Sequence, residues 1–319
     1  MGMMKRKVVA PAVPSTTGKV GWKDIIRKNY ELYLFLLPAV IILFCFNYIP
    51  MYGIQIAFRE FKPVDGIWGS KWVGFENFQR FFSSKQFGTI LKNTLVLSIY
   101  EIAVTFPIPI IMALLLNQFR FQRFKKVYQV ATYLPHFVST VVLIGMVKIL
   151  LSPSIGIMGA VADLLHTQAP NLMGEAKAFR SIYVWSGVWQ NAGWDSIIFI
   201  AALSGIDPSL YEAASVDGAT KWQKIINIDI PCIIPTCLIM LILRIGGIMS
   251  IGFEKVYLLQ NALNLSVSDI IATYTYRIGI VKFQYSLSAT VGLFNTIVNV
   301  ILLVTANKIS NKLSNESLW

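Results

Sequence analysis

Four ionisable side chains fall inside long apolar runs: Glu101, Lys148, Asp195 and Arg244. A charge at bilayer depth costs several kcal/mol on insertion scales, so such a group faces a partner or a wet cavity. Lys148 stands near the end of its run and is long enough to snorkel outward. Glu101 and Arg244 lie deeper, and each reads either as half of a buried ion pair or as part of a conducting path. Asp195 sits among Trp185, Trp189, Gln190, Asn191 and Trp194. Aromatic faces that stack on C–H surfaces, beside amides and carboxylates that bond hydroxyls, are the groups that hold sugars. At helical spacing Trp185 and Trp189 share one face, while Asn191 and Asp195 share another. One pocket wall therefore does not hold them all, and an interfacial tryptophan belt with an inter-span hydrogen bond is the competing reading. Asn295 and Asn299 offer further polar contacts.

Other chemistry is not visible. His136 and His166 are the two histidines, and no clustered acids accompany them, so no metal site is expected. His136 follows Pro135, which frees a backbone carbonyl and marks a kink. Cys45, Cys232 and Cys237 lie in or beside apolar runs, without disulfide or metal-ligand spacing. No serine or cysteine is poised by a base.

The elements that position these groups are membrane spans. Apolar residues make up 55% of the 319 and charged ones only 14%, against roughly 25% charged in soluble domains. Leu32 to Phe58 carries no charge, more than the ~20 residues a helix needs to cross the bilayer core. The fold expected is all-α, with six spans near residues 30–52, 91–116, 127–151, 181–203, 233–253 and 285–306. Residues 1–29 read as a basic tail, 30–306 as the membrane domain and 307–319 as a short polar tail. Residues 152–179 are too interrupted to span and suit an exterior loop with a short interfacial helix.

The net charge of +12 is placed at span ends rather than on a nucleic-acid face. Lys5, Arg6, Lys7, Lys19, Lys23, Arg27 and Lys28 precede the first span, and Arg120, Arg123, Lys125 and Lys126 crowd the loop between spans two and three. Both clusters obey the positive-inside rule, which puts both termini in the cytoplasm. No basic face is interleaved with exposed aromatics, so nucleic acid is excluded as a partner. The first apolar run is too long for a signal core and no small-x-small site follows it, so it is expected to stay as an anchor.

One cytoplasmic stretch, "YEAASVDGATKWQKIINIDIP", breaks the apolar pattern between spans four and five. Asp207-Pro208 is a helix start, with an acceptor for free N–H groups and a proline pre-set at the first position. Gly218 permits a turn. A second helical piece over 220–227 is expected to place Trp222, Ile225 and Ile226 on one side, and Pro231 to end it. Small residues around Glu212 leave room for another protein's surface.

The spacing of this stretch resembles the "EAA" motif of binding-protein-dependent ABC importer permeases. Glu212-Ala213-Ala214 is followed after three residues by Gly218, after nine more by Ile228, and then, past Asp229 and Ile230, by Pro231. Asp217 and Ala219 flank the glycine as the pattern requires, and Ile230 stands where leucine is usual. The stretches "WVGFENF", "GWDSIIFIAALSGIDPSLYEAASVDGA", "GFEKVYLLQN" and "YTYRIGI...ATVGLFNTIVNV" resemble the carbohydrate-uptake branch, especially permeases for oligosaccharides or polysaccharide fragments.

The resemblance implies a coupling helix within residues 207–231 that docks on an ATPase subunit. It further implies a second, usually non-identical permease, two ATPase subunits that bind ATP and Mg, and an extracytoplasmic solute-binding protein, all in a bacterial cytoplasmic membrane. This chain binds no cofactor in that scheme. Its Gly18-Lys19 pair has Val13 where a phosphate-binding loop needs glycine and Val20 where it needs Ser or Thr. The alternatives are an importer of a non-sugar solute and a membrane-embedded transferase. The transferase would need paired acids or a His–acid motif near an interface.

Overall fold

The computed structural model describes residues 28–119, 121–314 and 318, so the basic tail through Arg27, Arg120 and most of the C-terminal tail lie outside the described residues. The chain divides into two compact units, Met1–Gly53 and Ile54–Trp319. The division falls inside the first long helix, α1 (Tyr30–Phe58). It outruns the expected end at residue 52 because Tyr52–Phe58 winds on as a tight 3₁₀ segment.

In the second unit Arg59–Glu60 (β1) pairs antiparallel with Lys71–Trp72 (β2), the one small departure from an all-α fold among the described residues. Arg59 lies over the Trp68 and Trp72 rings at 5.9 and 5.4 Å. A short helix, α2 (Glu76–Phe82), leads into α3 (Phe87–Asn117). Pro107 divides α3 into Phe87–Thr105 and Pro107–Asn117. Next come α4 (Gln122–Phe137) and α5 (Thr140–Leu150), bent 98° from one another. The expected kink at Pro135 is thus a full elbow. The turn over Leu134–Phe137 is 3₁₀, Val138 is extended, and Ser139 Oγ caps α5 by accepting from Val142 N. The expected loop helix is α6 (Ile157–Leu164).

After α6 comes α7 (Ala176–Ser204), which carries many polar side chains, followed at 70° by α8 (Pro208–Val216). Then come α9 (Lys221–Gly246), α10 (Phe253–Leu259), α11 (Ile271–Tyr276) and α12 (Tyr285–Lys312). Among the described residues α1, α3, α9 and α12 are each long and apolar enough to cross a membrane, and the bent pairs α4–α5 and α7–α8 raise the number to six.

Pro231 does not end the second helical piece, contrary to the sequence reading. Residues Ile225–Asp229 form a π turn, and Ile230 N–H donates to the Ile225 carbonyl five residues back. The wider ring absorbs the donor that Pro231 lacks, as such bulges do. The helix therefore runs from Lys221 to Gly246 as one rod, so the fifth span starts twelve residues before 233 and stops before 253. The face expected to carry Trp222, Ile225 and Ile226 together is also divided. Ile225 is buried, while Trp222 and Ile226 are exposed.

Three apolar clusters hold the second unit together. Leu97, Leu143, Tyr183, Val184 and Val256 join α3, α5, α7 and α10. Phe81, Ile90, Met249, Ile271 and Val291 join α2, α3, α11 and α12. Ala113, Phe199, Leu203 and Ile233 bind the last turns of α3 and α7 to the middle of α9. In lipid such contacts rest on close van der Waals packing rather than on water exclusion.

Candidate functional site

The break at Pro107 leaves Thr105 at the end of one helical segment, and Glu101 lies one turn before it on the same face. On α7, Asn191 and Asp195 are likewise one turn apart. These two faces meet Arg244 of α9 around a polar cavity of about 240 Å³, completed by Gly187, Val188 and Ala192. Arg244 uses both ends of its guanidinium. Nη2 donates to Asp195 Oδ2 at 2.6 Å, and Nη1 donates to Thr105 Oγ1 at 2.8 Å. Lys255 of α10 approaches the Gly187 wall of the cavity, its Nζ 3.0 Å from where a Cβ on that glycine would stand. The Lys255 ammonium sits 4.7 Å from the centre of the Tyr183 ring.

Glu101, Arg244 and the neighbouring pair Asn191 and Asp195, from three separate spans, therefore share one polar cavity. Two carboxylates, an amide and a guanidinium give it both donors and acceptors for hydroxyl groups. Trp189 is not among them. As its helical phase requires, it lies with Trp185 on the other side of α7, along an apolar groove with Met146, Val147 and Leu150. Asn295 is separate too: its Nδ2 donates to Ser250 Oγ at 3.2 Å, and Asn299 Nδ2 reaches the same hydroxyl at 2.8 Å. Lys148 is exposed on α5. Lys255 and Thr105 were missed in the sequence. Lys255 follows a glycine break and looks like a loop charge, and Thr105 carries no charge to draw attention.

Asn191 links the cavity to the elbow of α4 and α5. Its Oδ1 lies 2.9 Å from His136 Nδ1, and the imidazole stacks on Trp194 with centroids 4.4 Å apart and planes 3° apart.

The stretch between α7 and α9 is built almost wholly from local rules. Asp207 Oδ1 accepts from Ser209 N at 2.9 Å, and Pro208 opens α8. That backbone donor holds the Asp207 carboxyl below its usual range. At the other end Gly218 takes φ +72°, Ala219 N–H donates to the Ala214 carbonyl and Gly218 N–H to that of Ser215. This is a Schellman stop, which needs a left-handed residue where glycine stands. Thr220 and Gln223 then form a reciprocal capping box that starts α9. Lys224 Nζ donates to Ser215 Oγ at 2.7 Å and pins the two helices together. Glu212, Ala213, Asp217 and Gly218 are exposed, Ala214, Ala219 and Ile228 are half-buried, and Pro231 is exposed on the continuing rod.

Known proteins align with this arrangement over nearly its whole length. Protein LplB of Bacillus subtilis (strain 168) is 38% identical over 319 residues, 100% of both chains. The polygalacturonan/rhamnogalacturonan transport system permease protein YteP of the same organism is 40% identical over 92% of each chain. Among solved structures, a bacterial ABC transporter involved in the import of the acidic polysaccharide alginate superposes with a TM-score of 0.84 at 38% identity, over 92% of this chain and 99% of that one. Residues 91–314 match the family model described as binding-protein-dependent transport system inner membrane component. With 224 of 319 residues inside that match and full-length relatives of this similarity, the chain belongs to the binding-protein-dependent transport system inner membrane components.

Proposed function

We propose that this chain is the permease subunit of an ATP-driven sugar importer and that its cargo is an oligosaccharide. Relatives named for polygalacturonan/rhamnogalacturonan and for arabinooligosaccharides, and the alginate transporter, support that class. The cargo passes by alternating access. Glu101, Asn191, Asp195 and Arg244 offer it hydroxyl-bonding groups, while Trp189 and Asn295 stand outside that cavity and carry less of the reading.

Energy enters through a second elbow, the one that α8 makes between α7 and α9. Glu212, Ala213, Ala214, Asp217, Gly218 and Ala219, with Ile228 and Pro231 on the following rod, are the ATPase-coupling segment. ATP and Mg are bound by two partner ATPase subunits. A second, non-identical permease completes the pore, and an extracytoplasmic solute-binding protein delivers the sugar; one solved relative was captured with such a periplasmic protein carrying alginate pentasaccharide. The location is a bacterial cytoplasmic membrane with both termini inside, the tails being residues 1–29 and 307–319 around a membrane domain of 30–306.

The observation that carries this reading is the exposed, doubly capped elbow presenting Glu212 and small residues. A coupling contact shifts the conformational equilibrium only if it differs between states, so the surface must be rigid. Reconstituted with its partners, the Glu212→Lys chain is expected to insert and assemble yet fail in ATP-driven oligosaccharide uptake. Normal uptake by that variant overturns the coupling role. Turnover of a lipid-linked substrate by the isolated chain would favour the transferase instead.

A further inference from the structure

Asp229 occupies a position where the helical pattern calls for an apolar residue. Ile225, Asp229 and Ile233 follow at intervals of four along α9, and all three are buried, at 7%, 0% and 1% exposure. A carboxylate does not settle in such a stripe unless its oxygens are satisfied. Asp229 is satisfied from two other elements. Tyr211 on α8 donates its hydroxyl to Oδ1 at 2.5 Å. Gln118 Nε2, just past the end of α3, donates to Oδ2 at 3.0 Å, and Asn117 Nδ2 approaches Oδ1 at 3.5 Å. The three donors are neutral side chains, and together they cover both carboxyl oxygens.

Burial first, and then the bond to Asp229, push the Tyr211 hydroxyl up to about 12. The phenol therefore keeps its proton and goes on donating at any physiological pH. The same corner sits at the foot of the apolar cluster that joins Ala113, Leu203 and Ile233.

α8 is joined to α7 and α9 by the short turns at Gly205–Asp207 and Asp217–Thr220, and to α9 also by the bond from Lys224 to Ser215. Neither turn reaches α3. We propose that Asp229 is a positioning residue for the elbow: its buried carboxylate locks Tyr211 of α8 to the end of α3, so displacement of α8 is delivered to the second span as well as the fifth. This rests on the coupling role proposed for the elbow and adds the route by which motion spreads. That route matters because α3 carries Glu101 and Thr105 of the cavity.

The test uses the full complex in proteoliposomes, with uptake and ATP hydrolysis measured together. The variants are Tyr211→Phe, Asp229→Asn and Asp229→Leu. Tyr211→Phe removes one oxygen from a half-buried ring and is expected to assemble with ATPase subunits in the normal ratio. Sugar moved per ATP hydrolysed should fall roughly tenfold, equal to about 1.4 kcal/mol. Asp229→Asn, which still accepts one bond, should lie between wild type and Asp229→Leu. The double variant Tyr211→Phe/Asp229→Asn should be no worse than the poorer single one, because both cut the same link. An unchanged transport-to-ATP ratio in Tyr211→Phe, or additive losses in the double variant, overturns the proposal. If Asp229→Leu fails to assemble, Tyr211→Phe still decides. Loss of uptake in Glu212→Lys beside normal coupling in Tyr211→Phe would reject the lock alone; normal uptake in both would reject the coupling role itself.

Discussion

Arg244 donates to Asp195 across 2.6 Å, with the donor on α9 and the acceptor on α7. The pair thus ties two spans at the level of the cavity while leaving both groups in reach of its contents. Their side chains are 29% and 30% exposed, so the bond is neither a dry ion pair nor a free surface contact. A hydroxyl-rich guest can compete for either partner, which suits a path better than a permanent brace.

Replacing Asp195 by Asn should therefore cost stability modestly and transport heavily. The lost charge-assisted bond is worth about 1–2 kcal/mol here, less than the roughly 3–5 kcal/mol for breaking a fully buried pair. Thermal unfolding of the purified complex and sugar-stimulated ATP hydrolysis measure the two effects. If neither uptake nor stimulated hydrolysis changes, Asp195 is no part of the path. The exchange Asp195→Arg with Arg244→Asp should restore stability but not uptake, because the cavity would then present its carboxylate and guanidinium from exchanged helices.

At Gly193 the backbone of α7 lies close against α4. A Cβ there would meet the Thr132 carbonyl oxygen of α4 at 2.2 Å, a backbone atom that cannot swing aside. Gly193→Ala is expected to destabilise the chain by about 1–3 kcal/mol, the usual penalty of overpacking. Lower yield of folded protein and an earlier thermal transition in detergent are the readouts. A wild-type transition would mean that α4 yields more readily than this contact implies.

The spans were legible because apolar length is a direct physical requirement of the bilayer. The elbow was legible because Asp207, Pro208 and Gly218 each act locally, through a cap, a preset φ and a left-handed turn. The 98° bend between α4 and α5 was only half visible: Pro135 announced a kink, but its size depends on Val138 becoming extended and Ser139 capping anew. Pro231 misled because the π turn that accommodates it is a backbone adjustment with no residue signature. The cavity shows the same division. Single-helix phase correctly separated Trp189 from Asn191 and Asp195, yet no local rule brings Glu101 and Arg244 to them. That requires α3, α7 and α9 to pack together, and the same holds for Asp229 with Tyr211 and Gln118.

The His136 ring gives a prediction about the α4–α5 elbow. Its parallel stack on Trp194 and its bond to Asn191 tie the bend to α7. His136→Phe keeps a ring for the stack and gives up the hydrogen bond, worth about 1 kcal/mol; His136→Ala gives up both, adding about 0.5–1.5 kcal/mol. Thermal transitions should fall in that order. Equal transitions for wild type and His136→Ala would show that the elbow is held without this ring.

Gly218 allows bulk and backbone strain to be separated at the proposed docking surface. Its φ is +72°, and a Cβ added there meets nothing within 4 Å in this chain. The whole intrachain penalty of a substitution is therefore conformational, about 1–2 kcal/mol for an ordinary residue and less for asparagine, which tolerates the left-handed region. Gly218→Val should loosen the Schellman stop, lower thermal stability and abolish uptake together. Gly218→Asn should keep the stop and most of the stability, yet still place a side chain where a partner subunit is proposed to sit. Its uptake is expected to fall while its thermal transition stays near wild type. Full uptake by Gly218→Asn would mean that no other polypeptide approaches closely at this turn, and the docking surface would then have to lie elsewhere on α8.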